Sequence, residues 1–398
     1  MDRNVGTIKD LKYRRFKFSH SNFPTLLMMT YDKEGELDRA HKAGEKKKKK
    51  TTWIFLLINL VIVAGIFIYQ FGFHKTRPLS ELFAEKPFYR FFFISLGAMA
   101  LYYIIAGICY SILFKQTTGK FKFGLGLQLS IVGKYWDAIT PFSSGGQFAQ
   151  VAHGRKKGVS GDKTTGVVVG KYMMNMIAFC LLGIVALFIP IDTITSGKII
   201  KILAAVGVGI NVLLTLFIWI VSTNRKLCAI IVIGGIKLLK KMHIIKNYNR
   251  ALYKSMRFIR QYQKAFKYFA KKPWVLISEV LLTALELLAL NVVPFLIYLA
   301  FNPNGGVSVI TVFAMSFLCM FATSYIPIPG GSGMAEISFA AIFSTLFEPD
   351  VTFWGLIIWR IFTYYLVIVV GFVFTLIDPL LMKRAEKRKM SIEQKQKK

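Results

Sequence analysis

Between residues 53 and 378 the chain alternates long apolar runs with short polar stretches, and the apolar runs occupy 53–73, 91–114, 164–189, 199–222, 274–301, 308–326 and 351–378. About 20 apolar residues carry a helix across a bilayer, so these runs are too long and too numerous for the core helices of a soluble domain. The pattern predicts an all-α fold, a polytopic integral membrane helical bundle of about 8 spans plus a re-entrant helical hairpin. The first run opens at Trp53 behind a polar tail that ends in Lys46–Lys50. No small-residue cleavage site follows it, so it is expected to remain as an uncleaved first span.

Composition agrees with that reading: 54% of the residues are hydrophobic and the mean hydropathy is +0.49. The formal charge of +32 could suggest nucleic acid, but its distribution points elsewhere. Of 52 Lys and Arg, 43 fall in residues 1–51, 115–122, 153–163, 223–272 and 383–398, and the linkers between those segments are poor in them. Basic loops that alternate with weakly basic ones are the mark of cytoplasmic retention. Both termini are therefore expected in the cytoplasm of a multi-pass plasma-membrane protein. The chain divides into a basic tail over 1–51, a membrane domain over 52–382 and a basic tail over 383–398. Residues 223–272 contain no Asp or Glu. Their basic and aromatic positions suit the anionic inner leaflet, at about 1 kcal/mol per basic residue near the surface.

The stretch 123–150, with Lys134, Asp137 and a terminal proline, is a poor span. If it crossed, the basic segments 154–158 and 223–272 would lie outside, so a re-entrant hairpin is expected. Near its end stands TPFSSGGQFAQ, Thr140–Gln150, and later in the chain stands IPIPGGSGMAE, Ile326–Glu336. Each follows an apolar run and breaks it with proline and then Gly-Gly. A helix that starts inside hydrocarbon leaves its first N–H groups without partners, and such an end attracts anions. A pair of such breaks in two parts of a chain points to a transporter's binding site. Both are expected to face the cytoplasmic side and to offer open amides to a headgroup through Pro141, Ser144, Gly145, Gly146, Gln147, Pro329, Gly330, Gly331, Ser332 and Gly333. The plainer alternative is a tight kink between packed helices.

Charges within apolar runs supply further candidates, because each is costly unless paired or wet. Helix rise puts Glu336 and Arg360 at similar depth, so they are expected to pair beside the second break. Glu279 and Glu286, seven apart, share one helix face. Lys171 lies at the depth of Glu279, and Lys134 shares the hairpin with Asp137. Cys109, Cys180, Cys228 and Cys319 read as reduced thiols, and the five histidines are scattered, so neither a metal site nor a cofactor is expected.

These motifs resemble a known family. IPIPGGSGMAEISFAAIF is similar to the PGGxGxxE signature of the membrane region of the lysylphosphatidylglycerol synthase/flippase (multiple peptide resistance factor) family, and TPFSSGGQFAQVAHGRKKGVS is similar to its GG-x-P-x-Q…KK-x-GVS segment. The resemblance covers roughly residues 53–382 and implies a flippase-like bundle that handles phospholipid or glycolipid in bacteria. The soluble aminoacyltransferase domain of the full-length synthases has no counterpart here, so lysine transfer is not expected. Phe148 stands where many relatives have proline. The leading expectation is a lipid translocase, not an enzyme. Alternatives are an accessory scaffold for a lipid or cell-envelope enzyme and a membrane-embedded lipid-modifying transferase. The expected partners are membrane phospholipids or glycolipids, with a second copy of the chain and a cytosolic lipid-synthesis enzyme as further candidates and no nucleic acid.

Overall fold

The structure is a computed structural model that describes residues 86–190, 197–242, 247–302, 304–323, 331 and 333–396. The expected tail 1–51 and first span 53–73 lie outside the described residues. The described part is all-helical. In chain order it comprises α1 (Lys86–Thr118), α2 (Phe123–Ile139), a 3₁₀ turn (Pro141–Ser143), α3 (Gly146–Lys156), α4 (Gly161–Phe188), α5 (Gly197–Thr223), α6 (Arg225–Lys241) and α7 (Tyr248–Ala270). There follow α8 (Pro273–Phe301), α9 (Val309–Thr323), α10 (Met334–Phe343), α11 (Pro349–Arg360), a π turn (Ile361–Tyr365) and α12 (Leu366–Gln396).

Among the described residues four stretches are long and apolar enough to cross a membrane: Phe88–Thr118, Gly161–Phe188, Pro273–Phe301 and Val351–Met382. The last joins α11, the π turn and α12. The central helices α1 and α8 pack along one another, with α2 and α4 against them. Their contact is close where small residues allow it; a Cβ on Gly126 would run into the Gly107 carbonyl and the Ser111 hydroxyl. Phe93, Leu181, Val185, Leu213, Leu281 and Leu285 are exposed on the outside of the bundle. That is the inverse of a soluble protein's surface and suits contact with lipid.

Proline sets several helix starts. Pro273 opens α8 and Pro349 opens α11, where the missing N–H would have had no helical partner in any case. The basic segment 223–272 becomes α6 and α7, and α7 packs on α4 as well as offering charge outward. Phe269 is buried against Gly170, and the Tyr268 hydroxyl and Lys272 Nζ donate to the Gln116 carbonyl and Oε1 at 2.5 and 2.8 Å.

Two helical hairpins depart from the regular spans. The first runs down α2, turns at 140–145 and returns through α3, 17 and 11 residues long. The second runs down α9 and returns through α10, 15 and 10 residues long. In each, the two helices pack on one another. At 1.5 Å per residue α9 and α10 extend only about 22 and 15 Å, short of a hydrocarbon core about 30 Å thick. The segment expected to cross outward over 330–347 is therefore a half-membrane helix. The expectation that both breaks face the cytoplasm turns on the helices between the hairpins. Between the hairpins, α4 and α8 have the length and hydropathy of spans, and α5 carries a shorter apolar stretch over Ala205–Phe217. Were all three to cross, the two breaks would enter from opposite faces rather than both from the cytoplasm, an inverted arrangement.

Single cysteines, in a background lacking the native four, test this. Lys157→Cys should react with a membrane-impermeant maleimide only after cells are permeabilised, and Glu348→Cys should react in intact cells. Labelling of both from one side would overturn the opposed hairpins.

Candidate functional site

The first break is a left-handed turn. Phe142 and Ser143 adopt φ of 54° and 48°, a region that side chains other than glycine rarely occupy. Such strain persists only where the surroundings enforce it. Ser144 Oγ donates to the Pro141 carbonyl at 2.9 Å and is exposed, as are Phe142 and Phe148. The amides that open α3 are not open. Gly145 N–H donates to Thr140 Oγ1 at 2.9 Å, and Gly146 N–H donates to Asp137 Oδ1 at 2.8 Å. Glycine is required at 146 because a Cβ there would sit 2.5 Å from the Asp137 oxygens.

At the second break, Pro329, Gly330 and Ser332 lie outside the described residues; Gly331 and Gly333 are described. Gly333 has φ +89° and donates its N–H to Glu336 Oε2 at 2.6 Å. The expectation of open amides is thus corrected at Gly145, Gly146 and Gly333, and the reason is chemical. Each break carries its own oxygen acceptor, a carboxylate at 146 and 333, which replaces the missing helical partner and suits the positive helix end.

Beside the second break, Arg360 Nε donates to Glu336 Oε1 at 2.7 Å, with Nη2 also 2.7 Å from that oxygen, and both side chains are buried. The expected pair is present. Arg360 ends α11, directly before the π turn, and its guanidinium lies 5.3 Å from the ring centres of Trp359 and Tyr364. Tyr364, inside the π turn, donates its hydroxyl to the Ala138 carbonyl at 3.3 Å. Ala138 adjoins Asp137. A series of contacts therefore runs between the breaks: Gly333 to Glu336 and Glu336 to Arg360 by hydrogen bonds, Arg360 to the Tyr364 ring, the Tyr364 hydroxyl to the Ala138 carbonyl, and, from the neighbouring residue Asp137, a hydrogen bond with Gly146.

A second cluster lies between α1, α2, α4 and α8. Glu286 accepts from Lys134 Nζ at 2.7 Å through Oε1 and from Lys171 Nζ at 2.6 Å through Oε2. Lys171 also donates to Thr283 Oγ1 at 2.8 Å, and Lys134 Nζ stands 3.5 Å from the centre of the Tyr102 ring. Two expected neighbours are corrected. Lys134 turns to Glu286 while Asp137 turns to Gly146, and Lys171 bonds Glu286 and Thr283. Sequence position supplied depth but not rotation about the helix axis, so it could not choose among partners at one level.

Residues missed by the sequence reading also contribute. Thr283 sits between the two glutamates at helical spacing, a signal that was present. Gln150 Nε2 donates to Tyr110 Oη at 2.6 Å and to the Leu129 carbonyl at 2.8 Å, fastening α3 to α1 and α2. Asp378 of α12 accepts from Lys157 Nζ at 2.5 Å, with His153 Nδ1 3.8 Å away. Nothing in the local sequence marked Tyr110 or Asp378 as partners. Among the described residues no group of three metal-ligating side chains is present. An open cleft of about 560 Å³ is lined by Lys237, Lys240, Lys241 and Tyr248, away from both breaks.

The family described as Lysylphosphatidylglycerol synthase TM region matches residues 56–371. The chain belongs to that family. No curated protein and no solved structure matches the chain. Membership makes it a multi-pass membrane protein with a lipid-related function. The matched region of the lysylphosphatidylglycerol synthase TM family includes both hairpins, the Glu336–Arg360 pair and the Lys134–Glu286–Lys171 cluster.

Removing one partner from a buried ion pair strands the other and costs about 3–5 kcal/mol. Glu286→Gln, which leaves two buried lysines facing a neutral amide, should lower the thermal unfolding midpoint in detergent more than Asp162→Asn, whose exposed carboxylate stands 3.6 Å from Arg257. Equal midpoints would show that Glu286 does not hold α2 and α4 to α8.

Proposed function

We propose that this chain is a lipid translocase that carries an anionic phospholipid or glycolipid headgroup past mid-membrane without making or breaking a bond in it. The observation that carries the reading is the pair of helix starts capped by carboxylates, Gly146 by Asp137 and Gly333 by Glu336, with contacts running from Glu336 through Arg360 and Tyr364 to the Ala138 carbonyl next to Asp137; in this reading the two starts are entered from opposite faces.

In this reading Asp137 and Glu336 are internal stand-ins for the headgroup phosphate. Each carboxylate occupies the position at a helix start that an anion would take. An incoming phosphate displaces it, accepting from Gly146 N–H at one break or Gly333 N–H at the other. Arg360, released from Glu336, then meets the phosphate with the two-pronged geometry that suits it. Exchange of a carboxylate for a phosphate keeps every amide satisfied throughout, so the backbone never faces hydrocarbon unpaired. The acyl chains stay in lipid along the apolar outer surface. The described conformation has the route closed, and passage requires the hairpins to separate by turns.

The capped amides also favour a purely structural reading, in which Asp137 and Glu336 only terminate helices. Rates separate the two. In proteoliposomes carrying a fluorescent anionic lipid whose outer-leaflet fraction is quenched chemically, the wild-type protein should move lipid faster than protein-free vesicles. Asp137→Asn and Glu336→Gln should slow that movement at least about tenfold, an exchange loss near 1.4 kcal/mol, while remaining monodisperse. No movement by the wild type, or wild-type rates in both folded variants, would sink the translocase reading.

A further inference from the structure

Within the membrane core, Glu279 is treated differently from the other two buried glutamates. Glu286 accepts from two lysines, and Glu336 accepts from Arg360 and the Gly333 amide. Glu279 is 0% exposed, and its carboxylate has no donor beside it other than the weakly donating Cys109 thiol. An ionised carboxylate without water or strong donors carries a large desolvation cost, and such a group takes up a proton instead.

The groups around it are few. From α1 comes Cys109, whose Sγ lies 4.0 Å from Thr283 Oγ1. From α4 comes Lys171, bonded to Thr283 and Glu286. On α8 itself stand Thr283 and Glu286, with Lys134 of α2 on the far side of Glu286. Three polar groups at or on the other helices packed on α8 are engaged elsewhere. Lys272, at the junction with α7, bonds Gln116 and the Tyr268 hydroxyl; Ser316 of α9 bonds Asn291; and Arg360 of α11 bonds Glu336. The nearby lysines disfavour a metal cation, which leaves the proton as the ligand that suits this carboxylate.

We propose that Glu279 is a reversible proton-binding site whose charge state decides how Lys171 is shared between Glu279 and Glu286. With the proton bound, Glu279 is a neutral acid and Lys171 serves Thr283 and Glu286. Loss of the proton to water leaves a negative charge one helical turn from Thr283, and an ammonium has three donors of which Lys171 uses two. Lys171 is then drawn toward Glu279, and Glu286 is held more by Lys134 alone. One proton thereby shifts an ion pair that ties α4 to α8. The site needs only the burial of Glu279 and stands whether or not the chain moves lipid.

Infrared spectroscopy reads this directly. The full-length protein is placed in nanodiscs of ether-linked lipid, which has no ester carbonyl to obscure the region, and titrated with alkali. The wild type should show the carbonyl band of a protonated carboxylic acid at neutral pH, fading as the pH rises. The band should be absent in Glu279→Gln and retained in Asp137→Asn. Carboxyl-¹³C glutamate should move it to lower frequency, which assigns it to a glutamate even if Glu279→Gln fails to fold. No band at neutral pH, a band that does not respond to alkali, one that survives Glu279→Gln, or one that ignores glutamate labelling would each overturn the proposal.

Discussion

Every backbone N–H inside a bilayer must find its partner within the protein, because hydrocarbon offers none. That constraint shapes the parts of this chain that are not plain spans. A helix that starts inside a bilayer exposes up to four such groups, and α3 and α10 both open at a break within a helical hairpin. The chain meets the requirement with short acidic side chains placed within reach: Asp137 for Gly146 and Glu336 for Gly333, with Thr140 for Gly145. The two solutions differ in local detail. Asp137 reaches across the turn from the preceding helix, whereas Glu336 reaches back from the first turn of its own helix. They agree in placing a carboxylate against a positive helix end.

Placing an acid there creates the next problem, and the cations answer it. Glu336 would be a lone charge at depth were Arg360 not paired with it, and Arg360 in turn lies between two aromatic rings. The π turn after Arg360 adds a residue to the helical winding, a device often found at functional positions. It sets Tyr364 where its hydroxyl reaches the first hairpin. In the second cluster Glu286 neutralises one lysine and is shared by another, so the four helices α1, α2, α4 and α8 are joined through one carboxylate and its neighbours. These pairs specify how the helices are rotated, which close packing of apolar side chains alone does not.

Much of this architecture could be read from the residues alone. The long runs 91–114, 164–189 and 274–301 became α1, α4 and α8 because apolar length is a strong signal in a membrane chain. The hairpin over 123–150 followed from charge parity, and the Glu336–Arg360 pair followed from helix rise on either side of a shared turn. The second hairpin was read as two full crossings because 308–326 and 330–347 each approach span length when unbroken. Among the described residues the helices there have 15 and 10 residues, and the length of an apolar run does not report how much of it is helical. Glu279 and Lys171 were matched by depth, but depth on two helices cannot say which faces meet. The same gap hid the roles of Thr283, Gln150 and Asp378.

The capping carboxylates were the least legible feature, and they bear most on function. An open amide at mid-depth is not a resting state that a membrane protein can hold; it must be occupied by something. An anion site in this setting is therefore expected to hold a side-chain anion whenever its ligand is elsewhere. The cost of ligand entry is then the difference between two occupied states rather than the cost of exposing backbone. That difference is small when the side chain and the ligand present similar oxygens, and it is adjustable through the cation beside the cap. Arg360 is bonded to Glu336 and Lys134 is bonded to Glu286, so the second break has its counter-charge on the cap itself, whereas the lysine on the helix that carries the first cap is bonded elsewhere. On the proposed translocase reading, two sites of one design, tuned differently and entered from opposite faces, let a headgroup leave one and be received by the other.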